Sequence, residues 1–124
     1  MNKTPIKILK LSPDDENEAT LEIGGFPIRC FISHCPNVIN EGEQHLVELT
    51  MYLEDDYKVV ESPKRDPFIR NINNGFSVEI AGYLNSNTLR SITTLDDEGI
   101  HYDYPELNDK FVIIYADRLQ VDFD

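Results

Sequence analysis

The sequence predicts an all-β fold, and three observations indicate it. Gln44–Leu53 and Phe76–Leu84 each alternate apolar and polar residues, as strands with one buried face do. The Gly24-Gly25 pair lies between two apolar runs, at the spacing of a tight hairpin. Short strands separated by turn residues along the chain are typical of a small barrel, with a β-sandwich as the alternative.

The hairpin around Gly24-Gly25 is the best-defined element. Glycines at both positions permit the positive φ angles of the turns that match strand twist. The register places apolar residues opposite one another, pairing Ile23 with Phe26, Leu21 with Ile28 and Ala19 with Cys30. Pro27 lies opposite Glu22, where its missing N–H would point away from the partner strand, so this flank is expected to be an edge or a bulge.

Further strands are expected at Leu89–Leu95, at Phe111–Tyr115, which is continuously apolar and so covered on both faces, and at the C-terminus. The apolar residues of Ile6–Leu11 change parity, which predicts a bulge in the first strand. Gly82 interrupts the inward row of its strand, which indicates a bend or a close backbone approach. The residues expected to face the core are Leu21, Ile23, Phe26, Ile28, Cys30, Val47, Leu49, Met51, Phe76, Val78, Ile80, Ile113, Val121 and Phe123.

One short helix is predicted after Asp66. This residue is a good N-cap, Pro67 suits the first helical position, and the apolar residues up to Ile72 share one helical face. Asn73-Asn74-Gly75 would end the helix after two turns at most. A series of strands, a short helix and further strands suits a small OB-like, Greek-key barrel.

Length and charge restrict the function. The chain has 124 residues, and we expect residues 1–124 to form a single β-barrel domain. Its 11 basic and 23 acidic residues give a net charge of −12, which argues against general nucleic-acid binding and against a polybasic membrane surface. Three acidic clusters, Asp14–Glu16, Glu54–Asp56 and Asp96–Glu98, fall where strands should end, and solvated turns are expected there.

The sequence also predicts a cytoplasmic location. We find no apolar stretch with the length of a secretory signal or of a membrane span. Two cysteines do not make a disulfide scaffold. In an extended strand Cys30 and Cys35 would lie roughly 16 Å apart, beyond bridging distance, so both thiols are expected to be reduced.

Two segments carry a resemblance to other proteins. Phe31–Pro36 has the pattern Phe-x-Ser-x-Cys-Pro after a Gly-Gly hairpin, and Tyr115–Leu119 leads into the closing strand. These segments resemble those of small uncharacterised bacterial OB-like β-barrel proteins. The resemblance covers about a third of the chain and implies an OB-like barrel, with no known activity to transfer.

Cys30, His34, Cys35 and His45 are candidate ligands of a metal ion, because zinc binds Cys and His and these four lie in one short stretch. Their spacing is neither C-x2-C nor H-x3-H, and Cys30 shares the apolar face of the hairpin, where a free cysteine acts as a small hydrophobic residue. The acidic loops do not match the calcium-binding EF-hand pattern. We therefore expect no metal and no cofactor, with these four residues as the candidates if a metal is bound.

Catalysis is not expected. Ser33 and His34 are neighbours on a predicted strand, so their side chains point to opposite faces and cannot form a dyad. The sequence contains no G-x-S-x-G nucleophile elbow and no phosphate-cradling glycine loop. The protein is therefore predicted to be a binding protein and not an enzyme.

An OB-like barrel can bind single-stranded nucleic acid through outward aromatic rings and basic loops. The candidate rings are Phe31, Tyr52, Tyr83 and Tyr102, and the candidate cations are Lys3, Lys7, Lys10, Lys64, Arg65 and Arg70. The excess of carboxylates opposes the approach of phosphate, so this function is the alternative.

Recognition of a basic protein partner is the first expectation. A small, strongly anionic domain without a catalytic constellation suits such a partner, and an immunity-type inhibitor of a basic toxin is the most concrete form. The oligomeric state is expected to be a monomer or a weak homodimer.

Overall fold

The computed structural model describes residues 3–123 and is mostly β, with 55% of the chain in strands and one short helix. The all-β prediction is confirmed. The strands are β1 Thr4–Leu11, β2 Glu18–Ile23, β3 Phe26–His34, β4 Gln44–Tyr52, β5 Lys58–Glu61, β6 Phe68–Asn71, β7 Val78–Asn85, β8 Thr88–Arg90, β9 Thr94–Asp96, β10 Lys110–Ala116 and β11 Arg118–Phe123. Helix α1 covers Ile100–Asp103, and a 3-10 turn follows at Pro105–Leu107.

Five of these strands form a closed barrel in the order β1-β2-β3-β11-β4, with β4 returning to β1. The last strand of the chain lies between β3 and β4, parallel to β3 and antiparallel to β4. Only one pair of neighbours in this barrel is parallel, and the other four are antiparallel. This is the arrangement of an OB-type Greek-key barrel.

A second sheet is inserted between the fourth and the last barrel strand, and it was not predicted. Its order is β5-β10-β7-β8-β9, and β6 pairs with β7. Gly82 lies in the middle of β7, where a Cβ would be 2.6 Å from the carbonyl oxygen of Arg90. The predicted close backbone approach at this glycine is confirmed, since only a residue without a side chain fits there.

The hairpin and the first strand follow the sequence pattern. β2 and β3 pair in the predicted register, with Ala19 opposite Cys30 and Pro27 opposite Glu22. The β1–β2 register shifts between Ile8 and Lys10, which confirms the bulge. One apolar cluster fills the barrel and extends into the second sheet.

The predicted helix at Asp66–Ile72 is wrong. Phe68–Asn71 is strand β6, which pairs with residues 78–81 of β7. A capped apolar stretch of two turns has little helical stability of its own, and pairing with a long neighbouring strand prevails. The helix of the molecule instead begins after Gly99, whose φ of 90° reverses the chain.

Several local predictions also need correction. Phe26 is 38% exposed because it borders the turn at the barrel's end. Phe76 precedes β7 and is half-buried, with its ring against that of Phe31. Ile113 is half-buried, because Val112 and Ile114 take the core side of β10, so this strand is not covered equally on both faces. Leu89–Leu95 is not one strand but β8 and β9 with a bend between them.

The second sheet contacts one end and one side of the barrel. The hydroxyls of Thr4 and Thr93 are 2.8 Å apart, and Gly24 lies against Ile92. On the side, the Asn71 amide replaces a missing strand neighbour: it accepts a hydrogen bond from the Arg29 backbone N–H (2.7 Å) and donates one to the Arg29 carbonyl (3.1 Å). The opposite barrel end, where Leu11 and His34 lie, instead carries the β1–β2 and β3–β4 loops.

Strand β4 allows a direct test of the core assignment. Leu49 is 7% exposed and Leu46, on the same strand, is 61% exposed. Leu49→Ala should lower the free energy of unfolding by about 2–5 kcal/mol, because it removes buried apolar volume. Leu46→Ala should change it by about 0.5 kcal/mol or less. Urea denaturation measures both, and equal midpoints for the two variants would contradict the assignment.

Candidate functional site

The open end of the barrel brings two loops and two strand ends together. Residues 12–17 connect β1 to β2, and residues 35–43 connect β3 to β4. Hydrogen bonds from main-chain N–H groups of the barrel hold both loops. The Leu11 N–H donates to the Glu41 carboxylate (2.9 Å), and the Ile32 N–H donates to the Asn17 carbonyl (2.7 Å). The end of β11 joins them, because Asp122 pairs with His34 and accepts a hydrogen bond from the Ser33 hydroxyl.

A cleft of about 420 Å³ lies between these loops, and we call it the acidic cleft. Its apolar residues are Leu11, Ile32 and Ile39, and its carboxylates are Asp15, Glu16 and Glu18. Its remaining lining residues are Ser12, Asn17, Ser33, His34 and Cys35. The cleft therefore combines an apolar surface with anionic groups, and no Lys or Arg is among these lining residues.

The charge around the cleft is predominantly negative. The carboxylates of this barrel end belong to Asp14, Asp15, Glu16, Glu18, Glu41, Glu43 and Asp122. Arg29 faces Glu18 at 3.4 Å, and Lys10 lines a neighbouring cleft together with Arg29. Carboxylates concentrated beside a concave surface produce a local negative potential that attracts cations.

Glu43, at the end of the β3–β4 loop, is a carboxylate that hydrogen bonds keep ionised. Its carboxylate accepts hydrogen bonds from the Asn40 backbone N–H (2.9 Å) and from the His45 ring (3.0 Å). These hydrogen bonds lower the pKa of Glu43 to about 2. Glu43 thus stays ionised through the whole neutral and mildly acidic range.

The four metal candidates are not brought together. Cys30 is fully buried in the barrel, and His45 is engaged by Glu43 and by the Phe123 ring at 5.5 Å. Only His34 and Cys35 share the acidic cleft, where the Cys35 thiol donates to the Asn37 carbonyl (3.1 Å). Within residues 3–123, no three His, Cys, Asp or Glu side chains are grouped so as to hold a metal ion.

Two of the four candidate aromatic rings, those of Phe31 and Tyr52, contact the same guanidinium group. The Arg118 guanidinium lies 4.5 Å from the Phe31 ring centre and 4.2 Å from that of Tyr52. The rings of Phe76 and Phe31 also pack edge to face, at 5.9 Å between ring centres. The protein's own side chains thus take up much of this aromatic surface. Tyr83 and Tyr102 lie elsewhere, on β7 and α1.

Asp97 was missed by the sequence reasoning. Its cluster was expected to be a solvated turn, but Asp97 is 3% exposed. Its carboxylate accepts hydrogen bonds from the backbone N–H groups of Gly99 (3.2 Å) and His101 (3.0 Å), and it also contacts the His101 ring. The carboxylate thus holds the turn that starts α1. An Asp two residues before a glycine is the signal that predicts such a side-chain turn.

The comparisons with known proteins place the chain in a family. The family model described as "Uncharacterised conserved protein UCP019853" matches residues 1–124, so the chain belongs to this family. This agrees with the expectation of an uncharacterised family, while the Phe31–Pro36 motif stays a prediction. No curated protein and no solved structure matches the chain.

In the part of the chain that the structure describes, no helix is long and apolar enough to cross a bilayer.

The two cysteines should differ sharply in reactivity. Burial raises the pKa of the Cys30 thiol to about 12, so this thiol stays protonated and shielded, while Cys35 is half-buried beside the cleft. A thiol reagent should label only Cys35 in the native protein, and both residues in denaturant. Mass spectrometry measures this, with Cys35→Ser abolishing native labelling and Cys30→Ser leaving it unchanged. Native labelling of Cys30 would overturn the assignment.

Proposed function

We propose that this family member is a non-catalytic binding protein that recognises a basic protein partner through its acidic cleft. The observation that carries the proposal is the cleft itself, which joins Asp15, Glu16 and Glu18 to an apolar surface at the open end of the barrel. An immunity-type inhibitor that neutralises a basic toxin in the bacterial cytoplasm is the most concrete form of this function.

The chemistry of the cleft suits a lysine or arginine side chain of the partner. Such a side chain has an aliphatic stem and a charged head, and it buries the stem while keeping the head near polar groups. The stem would lie on Leu11, Ile32 and Ile39, and the head would meet the carboxylates. Arginine fits best, because its planar guanidinium can bind carboxylates with two hydrogen bonds.

Net charge supports the same proposal. A charge of −12 over 124 residues increases the rate of encounter with a basic surface and disfavours acidic partners. The field weakens as salt is added, because the Debye length falls to about 8 Å at physiological ionic strength. Binding through this surface should therefore depend strongly on salt.

Single-stranded nucleic acid is the second candidate ligand, because OB-type barrels bind it and Phe31 and Tyr52 lie together on the barrel surface. Two contacts weigh against this function. Arg118 lies between the two rings, and Phe76 packs on Phe31, so stacking of a base would require both to move. The net charge also opposes phosphate.

Charge reversal at matched positions tests the proposal. Glu16→Lys changes an exposed cleft residue, and Asp55→Lys makes the same change of charge in the exposed loop beyond the other end of β4. Each variant and the wild type would be used to capture proteins from the native host, and a captured basic protein would then be titrated against all three. We expect Glu16→Lys to weaken binding by about tenfold or more, because like charges then face each other, while Asp55→Lys binds nearly as the wild type does.

Three outcomes would contradict the proposal. The captured protein could be acidic, the two variants could bind it equally well, or its affinity could be independent of salt. A labelled single-stranded oligonucleotide serves as the competing ligand in the same titration. If it binds at low salt and Phe31→Ala abolishes that binding, the second candidate replaces the first.

A further inference from the structure

We propose that Asn74 is a site of spontaneous deamidation, which converts the turn between β6 and β7 from a neutral to a negatively charged form. Asn74-Gly75 is the only Asn-Gly pair in the sequence. Glycine has no side chain to hinder attack by its own backbone nitrogen, so this pair is the most susceptible of the asparagine sites. The modification needs no enzyme and goes beyond the proposed binding function.

The reaction is balanced with water alone. The Gly75 backbone nitrogen loses its proton and attacks the side-chain carbonyl carbon of Asn74. A carbon–nitrogen bond forms, the bond to the side-chain nitrogen breaks, and ammonia leaves with a five-membered succinimide in place. Water then opens the ring at either carbonyl and yields aspartate or isoaspartate, each with one new carboxylate.

The turn presents both reacting groups. Asn74 is exposed, and the turn is closed by the Ile72 N–H donating to the Ser77 carbonyl (2.9 Å). Within residues 3–123, neither the Asn74 side chain nor the Gly75 N–H has a hydrogen-bond partner. The attacking nitrogen and the amide it attacks are therefore not held away from each other.

The asparagines at comparable places are protected. Asn85 precedes a small residue, but the Ser86 N–H donates to the Asn108 side chain (2.8 Å) and the Asn85 amide donates to Asp109 (2.6 Å). Asn71 is engaged by the Arg29 backbone through both of its side-chain atoms. The folded structure therefore directs the reaction to Asn74.

The modification would act on the contact between the two sheets. The Asn74 carbonyl accepts a hydrogen bond from the Arg29 guanidinium (2.8 Å). In isoaspartate the main chain runs through the side-chain carbons and this carbonyl becomes part of the free carboxylate, so the path of the turn beside Arg29 changes. We expect the turn to loosen from β3, next to the point where Asn71 joins the two sheets.

Incubation of the native protein in mildly alkaline buffer, followed by peptide mapping, tests the proposal. Asn74 should convert severalfold faster than Asn85, with isoaspartate detected at Asn74. Gly75→Ala is the matched control, because a Cβ at Gly75 meets no atom within 4 Å and its φ is not left-handed. This variant should fold as the wild type does and slow the conversion severalfold. In denaturant the rate at Asn85 should rise, because its hydrogen bonds are lost.

Either of two results would overturn the proposal. Asn74 could remain unmodified while other asparagines of the native protein react, or Gly75→Ala could deamidate as fast as the wild type. A thermal melt of the variant checks that its fold is intact, so a slower reaction is not attributed to misfolding.

Discussion

The closure of the barrel by the last strand is the constraint on which the rest of the structure depends. β11 lies between β3 and β4, and its residues Leu119, Val121 and Phe123 are buried in the barrel. Without this strand, β3 and β4 would both have open edges, and the barrel would be a four-stranded sheet. Along the sequence, the whole second sheet therefore lies between β4 and the strand that closes the barrel.

Closure also creates the two different ends of the barrel. One end and one side carry the second sheet, attached through Thr93, Ile92 and Asn71. At the other end, the acidic cleft lies between the loops, and Asp15, Glu16 and Glu18 line it. An apolar surface beside anionic groups results from this arrangement, since the barrel interior ends there and the loops around it are acidic. The proposed partner binding thus uses the part of the barrel that the protein does not bury itself.

The parts of the fold that sequence predicts well are those set by local pattern. The Gly24-Gly25 turn and the alternation in β4 specify the hairpin register and the buried row without help from distant residues. The close approach at Gly82 could be predicted, because only a residue without a side chain lets the Arg90 backbone lie so near. Phe68–Asn71 was misread because its local signals favour a helix, while antiparallel pairing with the next strand, β7, makes it a strand. The N-cap and proline signals outweighed this hairpin in the sequence reading.

The candidate site was harder to predict because its residues lie in segments that are separated along the chain. His34 and Cys35 were singled out for metal chemistry, yet they share a cleft with carboxylates of a loop about twenty residues earlier in the chain. The β2–β3 pairing, in which Glu18 lies opposite Phe31, brings that loop beside the end of β3. Asp97 differs, because its contacts are local. Its carboxylate is buried although it belongs to an acidic cluster, and the N–H groups of Gly99 and His101 bind it.

Hydrogen exchange along the barrel strands measures the role of β11 most directly. If β11 closes the barrel, its amide protons should exchange as slowly as those of β4, through unfolding of the whole barrel. Both sets should then lose protection together as urea is added. Amides of β11 that exchange much faster than those of β4, or that lose protection at lower urea, would show that the last strand is a detachable addition and would contradict this account.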